Sequence, residues 1–148
     1  MGTTKVATLL HEDLTEKIIG AFYSVHRELG YGFLESVYEA ALILTLNDVG
    51  LDVRQQVPID VWFRGGRVGA FRADIVVEGS VILELKAVRE LLSPHEAQLL
   101  NALRATRIEV GLLLNFGPRP SFKRLVFANR RKQIGVHPRS SAVGSSRR

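Results

Sequence analysis

Two runs of alternating apolar residues, joined by a short polar turn, constrain this 148-residue chain more than any other feature. Residues 71–77 and 81–87 place an apolar side chain at every second position, and residues 78–80, Glu-Gly-Ser, separate the two runs. A period of two is typical of a β-strand with one face buried. The segment therefore predicts an antiparallel hairpin with a three-residue loop, and a domain built around a sheet.

The short loop also predicts which residues face one another across the hairpin. If Val77 faces Val81, the same register sets Asp74 directly across from Glu84. Glu84, Lys86 and Asp74 then share one face of the sheet. The opposite face is predicted to be apolar throughout and to comprise Phe71, Ala73, Ile75, Val77, Val81, Leu83, Leu85 and Ala87.

Two carboxylates that face each other on neighbouring strands repel, and a divalent cation between them removes the repulsion. Carboxylate oxygens are ligands that Mg²⁺ prefers, together with the phosphate of a substrate. Lys86, on the same side, is suited to stabilise charge on a reacting phosphate. The pattern predicts metal-assisted hydrolysis of a phosphodiester. An ordinary solvated surface, with Glu84 and Lys86 as an exposed pair, is the alternative that the hairpin alone leaves open.

Two helices are predicted before the hairpin, over residues 13–29 and 33–49. Asp13 is expected to cap the first helix, with Glu16 completing a capping box. Gly30 and Gly50 are expected to end the two helices. The core face of the second helix is predicted from helical spacing to comprise Leu34, Val37, Ala41 and Leu44 or Thr45.

The remaining segments predict more strands and a third helix. Strands are expected over 51–57 and 59–63, with Pro58 marking an edge or a bend. Ser93 is expected to cap a helix that has Pro94 in its first position and Glu96 in a capping box, and that runs to about Thr106. The apolar run 108–114 predicts a strand buried on both faces, and 122–127 predicts an edge strand. This order indicates an α/β or α+β fold, a sheet with helices packed on it.

Composition excludes several classes of protein. The chain has no cysteine, which excludes disulfides, thiolate metal sites and cysteine nucleophiles. No apolar stretch approaches the roughly 20 residues of a membrane span. The first ten residues lack the long apolar region of a secretory signal. We therefore expect a cytoplasmic protein with no membrane partner.

Positive charge is concentrated at the C-terminal end. Residues 1–118 hold 11 Lys/Arg and 15 Asp/Glu, a net charge of −4, whereas residues 119–148 hold 9 Lys/Arg and no acid. We predict a folded domain over 1–128 and a basic, disordered tail over 129–148. A basic tail on an acidic body favours a polyanionic partner such as nucleic acid, although a tail that serves solubility, or an expression remnant, would look similar.

Short motifs in a fixed order extend this interpretation. They are Gly32-Phe-Leu-Glu35-Ser-Val-Tyr38, Arg72-Ala-Asp74, Glu84-Leu-Lys86, His95-Glu-Ala-Gln98-Leu-Leu-Asn101 and Gly111-Leu-Leu-Leu-Asn115-Phe-Gly117. Through these motifs the chain resembles the GxxExxY protein family, a branch of the PD-(D/E)XK nuclease superfamily, over about residues 14–126. The resemblance implies a restriction-endonuclease-like core, a mixed sheet flanked by helices.

The resemblance also implies roles for individual residues. Asp74 and Glu84 would be ligands of Mg²⁺ or Mn²⁺, with Glu35 as an additional acid from the preceding helix. Lys86 would be the catalytic lysine and Gln98 the active-site glutamine. The implied substrate is nucleic acid, DNA in preference to RNA.

Two further positions qualify the resemblance. Tyr38 is expected to be a packing residue with a hydrogen-bonded hydroxyl and not a catalytic group. Ala102 stands where the family often carries tyrosine. The resemblance therefore implies weaker positioning of the substrate in this chain than in family members that have the tyrosine. Two rival functions stay open: a non-catalytic nucleic-acid or protein binding module of the same fold, and an interaction protein whose basic tail docks on an acidic partner.

Overall fold

A computed structural model describes residues 10–132 of the chain. Residues 1–9 and the part of the predicted tail beyond Lys132 lie outside the described residues. Within them the chain forms a five-stranded sheet and three α-helices. The elements are α1 (Glu12–Leu29), α2 (Glu35–Asp48), β1 (Val53–Phe63), β2 (Gly66–Val77), β3 (Val81–Lys86), α3 (Ser93–Arg104), β4 (Val110–Asn115) and β5 (Ser121–Val126).

The sheet is mixed and follows the chain in the order β1-β2-β3-β4-β5. The pairs β1–β2, β2–β3 and β4–β5 are antiparallel, whereas β3 and β4 are parallel. A parallel pair needs a crossover, and α3 provides it. This architecture confirms the predicted α+β fold, with β4 as a buried strand parallel to its neighbour and β5 at an edge. No helix within residues 10–132 has the length and apolarity to cross a membrane.

Helices cover both faces of the sheet and enclose two apolar cores. The first core lies between the sheet and α1 and α2, and it includes Phe22, Leu42 and Leu83. The second core lies between the sheet and α3, and it includes Ile82 and Leu99. Glu84 and Lys86 follow Ile82 at intervals of two residues, so they belong to the face that α3 covers.

The hairpin formed by β2 and β3 has the predicted register. Val77 pairs with Val81, Val76 with Ile82 and Ile75 with Leu83. The ladder between the two strands ends at that last pair. Asp74 and Glu84 are the next residues in this register, so they lie where the two strands begin to separate.

The predicted apolar face of the hairpin is wrong beyond this point. Ile75 belongs to the first core, but Ala73 belongs to the second core and Phe71 packs against it. The side-chain alternation therefore reverses at Asp74. The neighbouring strand bends at the same point: Gln56, opposite Asp74, has a φ of 53°, a left-handed conformation that residues other than glycine rarely adopt. The β1–β2 pairing keeps one register on both sides of the bend but omits this pair.

The two strands predicted on either side of Pro58 are one strand. β1 runs through Pro58, which pairs in register with Arg72. Because β1 is at the edge of the sheet, the missing N–H of a proline can face outward without loss of a ladder hydrogen bond.

The predicted core face of α2 is wrong except at Ala41, which packs against the first core. Its buried residues are Tyr38, Leu42 and Leu46, whereas Leu34 is 76% exposed and Leu44 is 68% exposed. The helix carries apolar residues on nearly every side, so spacing alone does not select one face. Tertiary contacts of Tyr38 select it instead.

Helix starts differ from prediction by one or two residues. α1 begins at Glu12, so Asp13 lies within its first turn and no side chain caps the helix. α2 begins at Glu35, after Leu34. α3 begins at Ser93 itself, and the His95 side chain accepts the Leu92 N–H at 2.9 Å. The predicted capping partner, Glu96, instead pairs with Lys123 at 3.0 Å.

The packed part of the chain extends beyond the predicted boundary at Ala128. Residues Asn129–Arg131 form a 3-10 turn. The Lys132 ammonium then donates hydrogen bonds to the backbone oxygens of Thr106 and Ile108 at 2.7 and 2.8 Å. Burial lowers the pKa of Lys132 to about 8, against a smaller opposing effect of Glu109. Residues 129–132 are therefore part of the domain.

Candidate active site

Asp74 and Glu84 meet where β2 and β3 separate. The Asp74 Oδ2 atom accepts a hydrogen bond from the Leu85 N–H at 2.8 Å. Backbone pairing between the two strands has ended at Ile75 and Leu83, so the Asp74 carboxylate takes the amide that a continued ladder would have used. This contact fixes the Asp74 side chain beside β3.

Glu84 is buried, with only 3% of its surface exposed. Burial raises its pKa to about 8, and the neighbouring charge of Asp74 and a hydrogen bond between the two side chains add to the rise. Lys86 and the Asp74 N–H act in the opposite direction. At neutral pH the Glu84 carboxyl of the metal-free protein is therefore mostly protonated.

Lys86 is the last residue of β3 and is half-buried. It lies on the same side of the strand as Glu84 and close enough to lower the pKa of that carboxyl. The structure thus brings together three of the predicted site residues, Asp74, Glu84 and Lys86, at one end of the β2–β3 hairpin.

Asn115 holds the chain in place just after Lys86, a role that the sequence did not reveal. Asn115 lies opposite Lys86 in the parallel β4 strand and is fully buried. Its Oδ1 accepts the Val88 N–H, and its Nδ2 donates to the Val88 oxygen, both at 2.9 Å. Gly117 completes the clamp, because a Cβ atom there would lie 1.9 Å from the same oxygen. The sequence contained one signal for this residue: the segment 111–117 is among the motifs that carry the family resemblance, but the resemblance assigned no role to Asn115.

Gln98 lies on α3, the helix that covers the face of the sheet bearing Glu84 and Lys86. Its side chain is exposed and lines a cavity of about 400 Å³ between α3 and the β1–β2 hairpin. Within the described part of the chain, Gln98 makes no hydrogen bond to either carboxylate. Its assignment as an active-site residue stays a prediction.

Glu35 is exposed at the start of α2, a helix on the other face of the sheet. Among residues 10–132, no three His, Cys, Asp or Glu side chains come close enough together to hold a metal ion, so Glu35 is not gathered to Asp74 and Glu84. Its role as an additional ligand stays a prediction. Glu39, one helical turn later, accepts hydrogen bonds from the side chains of Gln55 and Gln56 at 3.3 and 3.0 Å. This side chain, which the sequence did not single out, connects α2 to the strand bend opposite Asp74.

Tyr38 has the packing role predicted for it. The side chain is fully buried, and its ring stacks on Phe116 with a centroid distance of 4.5 Å. Its hydroxyl donates to the Gly30 oxygen and accepts the Phe33 N–H. These contacts fix the rotation of α2 on the sheet.

Ala102 is fully buried in the second core, between α3 and the sheet. A tyrosine side chain at this position would need space that the packed core does not provide, since protein interiors leave few voids of that size. The alanine is thus matched to its surroundings in this chain.

The paired carboxyl groups fit a divalent cation. Asp and Glu oxygens are hard ligands, and Mg²⁺ is commonly held by one or two carboxylates with water and phosphate completing its coordination. Glu84 is buried beside a second acid, and both its burial and the neighbouring Asp74 raise its pKa and favour the protonated form. A cation next to Asp74 and Glu84 would provide the compensation that the proton now provides.

The mixed sheet between helical layers, with Asp and Glu at a strand divergence and a lysine two residues beyond, defines a nuclease-type domain of the restriction-endonuclease-like fold. The sequence model of the PD-(D/E)XK nuclease superfamily matches residues 12–125. The chain belongs to this superfamily. The narrower assignment to the GxxExxY branch stays a prediction.

Other comparisons add little to this assignment. No curated protein matches the chain. One similar solved structure is the crystal structure of SSO0001, with 21% sequence identity and a TM-score of 0.49. The alignment covers 80% of this chain and 59% of that one, so this chain spans little more than half of the length of that protein.

Proposed function

We propose that this protein is a metal-dependent nuclease that hydrolyses phosphodiester bonds of nucleic acid, DNA in preference to RNA. The observation that carries the proposal is the buried Glu84 beside the half-buried Asp74, with Lys86 on the same side. Membership of the PD-(D/E)XK nuclease superfamily supports the same reaction class. The choice of DNA follows from the restriction-endonuclease-like character of the fold.

Asp74 and Glu84 would hold Mg²⁺ or Mn²⁺. A bound divalent ion supplies Lewis-acid activation of the phosphate and of the attacking water. Below a pH of about 8, Glu84 must release its proton to become a ligand. The hydrogen bond from Leu85 to Asp74 holds the second carboxylate in a fixed orientation throughout.

Lys86 would act on the reacting phosphate and not on the metal. Its ammonium can donate hydrogen bonds to the phosphate oxygen on which negative charge develops, or orient the attacking water. The Asn115 clamp on Val88 limits movement of the chain that carries Lys86. Gln98 would contact the substrate from α3.

A cleavage assay tests this function directly. The substrates are single- and double-stranded DNA and RNA of one sequence, each with Mg²⁺, Mn²⁺ or EDTA. Cleavage should require a divalent ion, should be faster on DNA, and should be lost in Lys86→Ala without loss of substrate binding. Lys17→Ala, a change of an exposed lysine on α1, is the matched control and should cleave normally. Cleavage that survives Lys86→Ala, or that continues in EDTA, contradicts the mechanism.

A non-catalytic binding module of the same fold is the second candidate. It is favoured by the lack, within residues 10–132, of a third ligating side chain near Asp74 and Glu84. The same assay separates the two functions. Binding without cleavage under every metal condition selects the binding module.

A further inference from the structure

A cavity of about 400 Å³ opens between α3 and the outer half of the β1–β2 hairpin, on the face of the sheet to which Glu84 belongs. Its floor is the outer half of the β1–β2 hairpin, and its wall is the exposed side of α3. The cavity is large enough for a small ligand, since ligand pockets typically begin at about 300 Å³. Its lining consists of Val61, Phe71, Gln98, Asn101, Arg104 and Ala105.

The chemistry of this lining matches a nucleobase. Phe71 offers an aromatic ring, and aromatic side chains stack on unpaired bases. Gln98 and Asn101 each offer an amide with a donor and an acceptor, which is the combination that pairs with the edge of a base. Arg104 adds a cation for the attached phosphate. Among the described residues, no acidic side chain lines the cavity.

The strand bend places the cavity on the reactive side of the sheet. Because alternation reverses at Asp74, Phe71 faces α3 and not α1 and α2. Glu84 belongs to this same face. Phe71 is three residues from Asp74 along β2, or about 10 Å at the rise of an extended strand. A strand whose phosphate lies at Asp74 can therefore place a neighbouring base in the cavity.

A second cavity of about 290 Å³ continues this surface around α3. It is lined by Leu100, Arg104, Phe127 and Arg131, so Arg104 belongs to both cavities. The Arg131 guanidinium lies over the Phe127 ring at 4.8 Å. Alternating aromatic rings and cations are typical of grooves that bind single-stranded nucleic acid.

We propose that the cavity lined by Phe71, Gln98 and Asn101 receives an unstacked base of the substrate strand. The proposal rests on the proposed nuclease function and specifies its substrate: single-stranded or locally unpaired nucleic acid. A base inside an intact duplex is stacked on both sides and cannot enter, whereas a base in a single strand enters at little cost.

Equilibrium binding of Phe71 variants tests the proposal. The probes are a labelled single-stranded DNA oligonucleotide and the duplex of the same sequence, with Lys86→Ala as the background that prevents cleavage. Phe71→Leu keeps an apolar side chain but removes the ring, and should weaken single-strand binding about 5- to 100-fold, the value of one base–aromatic stack. Duplex binding should change less than twofold. Phe71→Tyr should restore single-strand binding.

A control variant and a second cavity variant distinguish loss of the base contact from a general effect on the structure. Phe122→Leu alters a ring on β5, outside both cavities, and should leave single-strand binding unchanged. Asn101→Ala changes an exposed residue on the cavity wall, so it should fold normally and should reduce differences in affinity among oligonucleotides of different base composition.

The outcomes separate this proposal from the nuclease function. Unchanged single-strand affinity in Phe71→Leu, or an equal loss for single strand and duplex, overturns the base pocket and leaves the nuclease function intact. Single-strand binding through Phe71 without any metal-dependent cleavage by the wild type refutes the nuclease function and keeps the pocket. A wild type that binds neither probe overturns both.

Discussion

Without bound metal, the Glu84→Gln variant should be more stable than wild type, and the difference between them should grow as the pH rises. The pKa of Glu84 is raised from 4.5 to about 8 in the folded protein. Between these values the folded state holds a proton that the unfolded state has released, so stability falls with increasing pH across the window. Glutamine is neutral at every pH, and its NH₂ group can donate to Asp74 as the protonated acid does.

The size of the effect follows from the shift. At 1.36 kcal/mol per pKa unit, wild type should lose on the order of 4 kcal/mol of stability between pH 4.5 and 8, and Glu84→Gln should avoid that loss. At about 3 °C per kcal/mol for a chain of this size, the variant should melt roughly 10 °C above wild type at pH 8 and at about the same temperature near pH 5.

Thermal melts in EDTA from pH 5 to 8 measure this difference. The range stops at pH 8 because Lys132, whose pKa is lowered to about 8, adds a change of opposite sign at higher pH. Glu16→Gln, a change of an exposed glutamate on α1, serves as the control and should follow wild type. Parallel pH profiles for wild type and Glu84→Gln would refute the reasoning, because they would show that Glu84 is ionised in the folded protein.

Three further predictions concern the metal, the clamp and the tail. Titration of wild type with Mn²⁺ at pH 7 in weak buffer should release about one proton per bound ion, and Glu84→Gln should release none; equal release would contradict a protonated Glu84. Asn115→Ala removes both hydrogen-bond partners of the half-buried Val88 backbone and should cost about 1–3 kcal/mol in denaturant unfolding, whereas a cost below about 0.5 kcal/mol would argue against the clamp. Truncation after Lys132 removes three arginines and should reduce the slope of log affinity against log salt by up to about 2–3 units at constant saturated turnover, whereas identical slopes would show that the tail does not contact nucleic acid.

The β2–β3 register could be predicted because two independent signals agree. A three-residue loop and an alternating pattern on both sides allow one alignment of Val77 and Val81, and Asp74 and Glu84 follow from it. A shift of the register by one residue would turn the apolar side chains of one strand to the opposite face of the sheet. The central part of the candidate site was therefore accessible from the sequence.

The bend at Gln56 could not be predicted, because the left-handed conformation there carries no sequence signal such as glycine or asparagine. The buried face of α2 was inaccessible for a different reason. An apolar helix offers several possible faces, and the choice depends on the contact of Tyr38 with Phe116, which is 78 residues away in sequence. The same holds for Asn115, whose partner Val88 becomes a neighbour only after β3 and β4 pair.

The reversal of side-chain alternation at Asp74 divides the β1–β2 hairpin into an inner and an outer half, which pack against different cores. The inner half is fixed by its pairing with β3 and by the first core, and it positions the acidic pair. The outer half packs against the second core and forms the floor of the cavity. One residue can be added to, or removed from, each of the two strands next to the outer turn without changing the pairing of the residues nearer the bend. The side chains of those residues therefore keep their orientation. Substrate preference can thus diverge through the length and composition of the outer hairpin while Asp74, Glu84 and Lys86 keep their geometry.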